Sequence, residues 1–226
     1  MDDSQSFWVT ASTNGLGAAL IEALVHRQAR VAASGRNNLQ FHAMARRHGG
    51  HLLALDGDTQ HQADRLKLEW GALDTLIINA GACDYLPADI TENQLLQALI
   101  KTNAEAVERY LDAALPLLVE ARRPHVVVIL NLYTAAQLSD PSFPASIATS
   151  LPERLREKRA KLRQLGIDLT IVTPYAPPSQ HPVPRVPEQW TAQSAATEIL
   201  SRLPDREEEI VLEALELRTL WPLKSF

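Results

Sequence analysis

The residues best suited to chemistry lie in Val9-Thr10-Ala11-Ser12-Thr13-Asn14-Gly15-Leu16-Gly17. This stretch follows an apolar run, Phe7-Trp8-Val9, and opens a run with helical spacing: Ala18, Ala19, Leu20, Ile21, Leu24 and Val25. A strand, a turn of small residues and a helix, in that order, make a cradle for a phosphate. The small residues let the backbone approach a pyrophosphate, and the first helical turn offers unpaired N–H groups at the positive end of the helix dipole. An ordinary strand–helix turn can carry two glycines as well, so the assignment depends on the rest of the chain.

The elements that must position this cradle alternate along the sequence. Arg30 to Ser34 reads as a strand, with Gly35-Arg36-Asn37-Asn38 as a turn. A helix over Leu39 to His48 stops at Gly49-Gly50, and His51 to Leu55 reads as a third strand closed by Asp56-Gly57-Asp58. Residues 59–70 read as a helix, and Leu73 to Asn79 as a continuously apolar strand followed by Ala80-Gly81. Thr91-Glu92-Asn93-Gln94 is a capping box that starts a long helix, expected to kink at Pro116. His125 to Leu132 is a further buried strand. A second capping box, Ser150-Leu151-Pro152-Glu153, starts a helix that stops at Gly166. Ile167 to Thr173, a helix over 189–203 and a short strand from Glu209 to Leu212 complete the chain. Alternation with buried strands predicts an α/β fold: a single doubly wound, Rossmann-type parallel sheet of about seven strands, with helices on both faces. No linker divides residues 1–226, so one domain is expected.

Composition narrows the function classes. A net charge of −5 gives no electrostatic reason to expect nucleic acid or an anionic membrane surface as partner. The one cysteine, Cys83, excludes an internal disulfide and a cysteine-built metal site, and the seven histidines show no ligand spacing, so no metal is expected. They read as surface or strand-end residues. Met1-Asp2-Asp3-Ser4-Gln5-Ser6 is unlike a signal peptide, and no apolar run reaches the roughly 18–20 residues of a membrane span. The expectation is a soluble, cytoplasmic protein.

With these elements placed, the chain resembles the short-chain dehydrogenase/reductase family from Phe7 to about Leu212. The family's Thr-Gly-x-x-x-Gly-x-Gly reads here Thr10-Ala11-Ser12-Thr13-Asn14-Gly15-Leu16-Gly17, with alanine for the first glycine. Its Asn-Asn-Ala-Gly reads Ile78-Asn79-Ala80-Gly81, and its helix-four asparagine matches Asn103 in Lys101-Thr102-Asn103-Ala104. The resemblance implies that Thr10, Ser12, Asn14, Gly15, Leu16, Gly17, Asn79, Ala80 and Gly81 contact a nicotinamide dinucleotide. It also implies that Asp56 contacts the adenine, although in Asp-Gly-Asp this residue could instead make an Asx-turn. At the end of strand two an acidic residue binds a ribose 2′-OH, whereas an arginine pairs with a 2′-phosphate. Arg36 stands there with no carboxylate, which favours NADP over NAD.

The family's chemistry uses a tyrosine as proton donor, a lysine four residues later that lowers the phenol's pKa, and a serine that orients the substrate oxygen. The serine position aligns with Asn131. The tyrosine and lysine positions fall at Pro144 and Ala148, or at Phe143 and Ile147 one residue earlier. The chain's four tyrosines, Tyr85, Tyr110, Tyr133 and Tyr175, are followed four residues on by Asp89, Ala114, Gln137 and Ser179. Tyr175 also replaces the glycine of the family's Pro-Gly after strand six. Tyr133 and Tyr175, with Asn131 and Asn103, are the candidate catalytic remnants or replacements.

Three functional readings follow. The favoured one is an NADP-binding member that has lost the Ser-Tyr-Lys chemistry and acts on a small-molecule ligand as a sensor or scaffold. The second is an NADP-dependent oxidoreductase using Tyr133 or Tyr175 as a non-standard acid. The third is a non-redox cyclase or lyase on the same fold. The family assembles through helices four and five. Here the helix from Ser150 is heavily charged outside one stripe (Leu151, Leu155, Leu162, Leu165), while helix four keeps Leu111, Leu115 and Leu118. A homodimer is therefore expected before the usual tetramer.

Overall fold

In the computed structural model of the protein, the described residues are 5–10, 15–35, 38–80, 92–130, 151–174 and 192–212. They form β1 (Ser6–Val9), α1 (Gly15–His26), β2 (Arg30–Ser34), α2 (Asn38–His48), β3 (Leu52–Leu55) and α3 (Thr59–Trp70). These are followed by β4 (Thr75–Ala80), α4 (Glu92–Leu118), β5 (His125–Leu130), α5 (Leu151–Gln164), β6 (Asp168–Pro174), α6 (Ala192–Arg202) and β7 (Glu209–Leu212). All seven strands pair in parallel, in the order β3-β2-β1-β4-β5-β6-β7. The doubly wound sheet expected from the sequence is the one observed.

Period-two alternation sorts each strand between two cores. Phe7 and Val9 of β1 face one side, with Leu20 and Leu24 of α1 and Ala196 and Ile199 of α6. Trp8 faces the other side, with Leu66 of α3, Val107 and Leu111 of α4, and Leu155 and Leu162 of α5. Trp8 is fully buried, meets Tyr110 edge-on with ring centroids 5.5 Å apart, and donates its indole N–H to Ser34 Oγ at 3.1 Å. The indole therefore joins β1, β2 and α4.

Three sequence readings change here. Leu165 lies beyond the end of α5 and is half exposed, so the inner stripe of that helix is Leu151, Leu155 and Leu162. Leu111 and Leu118 of α4 are buried in the chain's own core and are not a free interface. The basic side of α5 is engaged within the chain. Arg154 pairs with Glu108 of α4, Arg156 with Glu209 at 2.9 Å, and both Arg159 and Arg163 with Glu208. Arg159 is buried and also donates to the carbonyls of Leu169 (3.3 Å) and Glu208 (2.6 Å), which fixes α5 across β6 and β7. Burial lowers its pKa, and Glu208 and Glu209 oppose that shift.

At the N-terminal edge of the sheet, Ser6 and Asp74 bond reciprocally. Ser6 N and Oγ each reach Asp74 Oδ2 at 2.8 Å, and Asp74 N reaches Ser6 Oγ at 2.9 Å. His125, read as a strand-end residue, starts β5 but is buried there. Thr170 Oγ1 donates its only proton to Glu207 O at 2.6 Å, so it accepts from His125 Nε2–H at 2.8 Å, which sets the tautomer. Burial, aided by the charge of Arg206, lowers the His125 pKa from 6.5 to about 3.

The folded chain thus keeps His125 neutral at pH values where the unfolded chain protonates it. The resulting stability is complete above pH 6.5 and is lost as pH falls toward about 3. The loss runs at about 1.4 kcal/mol per pH unit. His125→Gln retains a donor for Thr170 and removes the titration. Urea unfolding at a series of pH values is expected to show a shallower acid dependence for this variant than for the wild type. Parallel curves would exclude His125 as the source.

Candidate functional site

The cradle sits at the C-terminal edge of β1 and β4. Thr10, at the end of β1, is buried. Its N–H donates to Ile77 O at 3.0 Å, and its hydroxyl accepts from Asn79 N at 3.2 Å. One residue thus extends the β1–β4 pairing beyond the last strand residue by a main-chain bond and a side-chain bond. Asn79 is itself buried and sits in register with Ile129 of β5, followed by Ala80 opposite Leu130.

Helix α1 begins at Gly15, whose φ of 57° lies in the left-handed region that a side chain disfavours. Leu16 and Gly17 are buried beneath it. The first turn of α1 contains no acidic residue, so its positive end is not neutralised from within the helix. A left-handed glycine at the start of a helix whose first turn carries no acidic residue fits a dinucleotide's phosphates.

The third strand delivers Asp56 to the same edge. In Asp56-Gly57-Asp58 it is the second aspartate that serves the local backbone. Asp58 caps α3, accepting from His61 N at 2.9 Å, and Gly57 has a φ of 84°. Asp56 instead meets His42 Nε2 at 3.1 Å. Sequence reasoning missed His42. The available signal was topological: α2 starts at the C-terminal edge, so its first turns lie beside the end of β3. His48, at the far end of α2, packs its ring near that of His26.

Asn103 projects from α4 and is almost wholly buried, and its Nδ2 has no hydrogen-bond partner among the described residues. A buried amide with an unused donor is costly unless it serves something. The structure therefore describes Thr10, Gly15, Leu16, Gly17, Asp56, Asn79, Ala80 and Asn103. Ser12, Asn14, Arg36, Gly81, Asn131, Tyr133 and Tyr175 lie outside the described residues, as do Cys83 and Tyr85. Among the described residues no group of three His, Cys, Asp or Glu could hold a metal, and no helix is long and apolar enough to cross a membrane.

Residues 5–146 match the family model described as short chain dehydrogenase. The cis-2,3-dihydrobiphenyl-2,3-diol dehydrogenase of Pseudomonas sp. (strain KKS102) is 30% identical over 169 residues, which is 66% of this chain and 61% of that protein. An uncharacterized oxidoreductase of Myxococcus xanthus (strain DK1622) is 28% identical over 175 residues, 74% of this chain and 69% of the other. The chain thus spans less than two thirds of the dihydrobiphenyl-diol dehydrogenase it matches. Among solved structures, a short-chain dehydrogenase from Streptomyces avermitilis is similar with a TM-score of 0.72, at 21% identity, covering 93% of this chain and 89% of that one. A metagenomic short-chain oxidoreductase in complex with NADP gives 0.67 at 20% identity, covering 94% and 98%. At these identities the two structures bear on the fold alone.

Thr10→Val keeps the volume and removes the hydroxyl that accepts from Asn79 N. A loss of about 1–2 kcal/mol in urea unfolding is expected, with Thr10→Ser retaining most of the stability. Equal stability of all three proteins would show that the hydroxyl does not hold the turn to β4.

Proposed function

The chain belongs to the short-chain dehydrogenase family, and from that premise we propose that it binds NADP at the C-terminal edge of the sheet without the family's Ser-Tyr-Lys redox chemistry. The observation that carries the second half is the absence of Tyr-x-x-x-Lys from the whole sequence. A phenol without a nearby cation keeps a pKa of about 10 and is a weak proton carrier at neutral pH. The family binds a nicotinamide cofactor, and the turn at Gly15 with the uncompensated start of α1 fits its phosphates.

In this reading Thr10 and Gly15 to Gly17 shape the turn that takes the pyrophosphate, with Ser12 and Asn14 in the same loop. Arg36 would take the 2′-phosphate, Asp56 would contact the adenine, and Asn79, Ala80 and Gly81 would contact the dinucleotide from the end of β4. NADP, when bound, supplies a hydride acceptor. The chain contributes binding and orientation but no tuned acid. A small-molecule ligand beside the nicotinamide would then be held rather than turned over, and the protein would act as a sensor or scaffold.

A second reading is favoured by the relatives, of which one is named a dehydrogenase and another an oxidoreductase. In it the chain is an NADP-dependent oxidoreductase in which Tyr133 or Tyr175 replaces the lost acid and Asn131 and Asn103 orient the substrate.

Calorimetric titration with NADPH and NADH tests the binding half. Arg36→Ala is expected to weaken NADPH by about tenfold or more and to leave NADH little changed, as loss of a guanidinium–phosphate pair requires. No binding of either nucleotide would overturn the proposal. Steady turnover of NADPH with a carbonyl substrate, abolished in Tyr133→Phe or Tyr175→Phe, would replace it with the second reading.

A further inference from the structure

The edge of the sheet opposite the cradle carries a cleft of about 390 Å³. It lies at the start of β1, β4 and β5, between the end of α1 and the turn that leads into β7. Among the described residues its lining includes three arginines, Arg27, Arg123 and Arg206, and no carboxylate. In a chain with a net charge of −5 that is a local reversal of sign. His125 also lines it and cannot offset or add charge, because burial keeps the imidazole neutral.

The three guanidinium groups are held differently. Arg206 is fixed, with its terminal nitrogens on the carbonyls of Pro124 (3.4 Å) and Arg123 (3.1 Å) and with Asp168 3.7 Å away. Its Nε is buried without a hydrogen-bond partner among the described residues. Arg27 donates to Leu200 O at 3.2 Å and makes no ion pair among the described residues. Arg123 is exposed and its side chain makes neither an ion pair nor a hydrogen bond among the described residues. Arg27 and Arg123, without carboxylate partners among the described residues, therefore share the cleft with a third arginine whose pKa is lowered chiefly by burial, with Asp168 and Asp74 opposing that shift and Arg123 adding to it. Such a set gains from an anion between its members.

The backbone holds this arrangement at a cost. Gln28 (φ 61°) and Arg206 (φ 56°) are the two non-glycine residues with positive φ among the described residues, and both line the cleft. The cleft is also lined by the apolar side chains of Phe7, Leu24 and Leu203. Its size suits a one-ring molecule rather than a bare ion.

We propose that this cleft binds a small organic oxyanion, its charged group among Arg27, Arg123 and Arg206 and its apolar body against Phe7, Leu24 and Leu203. The ligand class is a carboxylate or phosphate ester carrying an aryl or short alkyl group. The site is separate from the nucleotide cradle, which lies at the other end of the strands.

Calorimetric titration of the full chain with benzoate, phenyl phosphate and inorganic phosphate tests this assignment. At least one aryl probe is expected to bind more tightly than inorganic phosphate. Arg123→Gln and Arg27→Gln, both at exposed positions, are each expected to weaken that probe by about tenfold, as loss of a charge-assisted bond implies. Circular dichroism would confirm that both variants are folded, and their NADPH titrations should match the wild type. Failure of both aryl probes to bind would overturn the proposal. So would binding unchanged in both variants, or inorganic phosphate binding as tightly as the aryl probes.

Discussion

Parallel pairing is the constraint from which the rest of this molecule follows. Seven strands running the same way place every strand end on one edge and every strand start on the other. Each crossover must then carry a helix back along a face of the sheet, which buries both faces and makes the strands apolar throughout. The two edges are what remain for polar chemistry. One receives Thr10, Asp56 and Asn79 from the ends of β1, β3 and β4. The other receives Ser6, Asp74 and His125 from three strand starts.

Those edges solve the same problem in different ways. Strand ends leave main-chain groups without ladder partners, and these must be satisfied locally. At the cradle edge Thr10 does this by donating to Ile77 O and accepting from Asn79 N. At the opposite edge the chain closes on itself through Asp74 with Ser6 and through His125, Thr170 and Glu207 in series. The turn before β7 folds over the start of β5, which is why a histidine that reads as a strand-end residue becomes buried.

The fold was legible in the sequence because its signals are local and strong. Val126 to Leu130 and Leu76 to Ile78 can be little else than strands buried on both faces, and Gly49, Gly71 and Gly166 mark helix ends by their positive φ. The site was legible only in part. Thr10, Gly15 and Asn79 belong to contiguous motifs, whereas the His42–Asp56 contact joins residues on different elements whose approach depends on how α2 lies against β3. His125 reads as a strand-end residue, but nothing in the sequence around it shows that Thr170 will bond it or that Arg206 will lie close enough to act on its charge. The arginine-lined cleft draws its cations from the end of α1, the turn before β5 and the turn before β7. No window of sequence contains that pattern.

The helices that this family uses between subunits show how the same local sequence can take a different role once packed. In the sequence the leucines on α4 read as a surface open to a partner and the charge on α5 as an outward-facing side. In the folded chain Leu111 and Leu118 are core residues, and Arg154, Arg156, Arg159 and Arg163 find Glu108, Glu208 and Glu209 within the same chain. Exposed pairs of this kind contribute little each, but Arg159 is buried and donates to two carbonyls as well as to the Glu208 carboxylate, so the network resists displacement. A subunit contact on this face would have to break or bury those pairs. The charge on α5 is thus better understood as what holds the helix across β6 and β7.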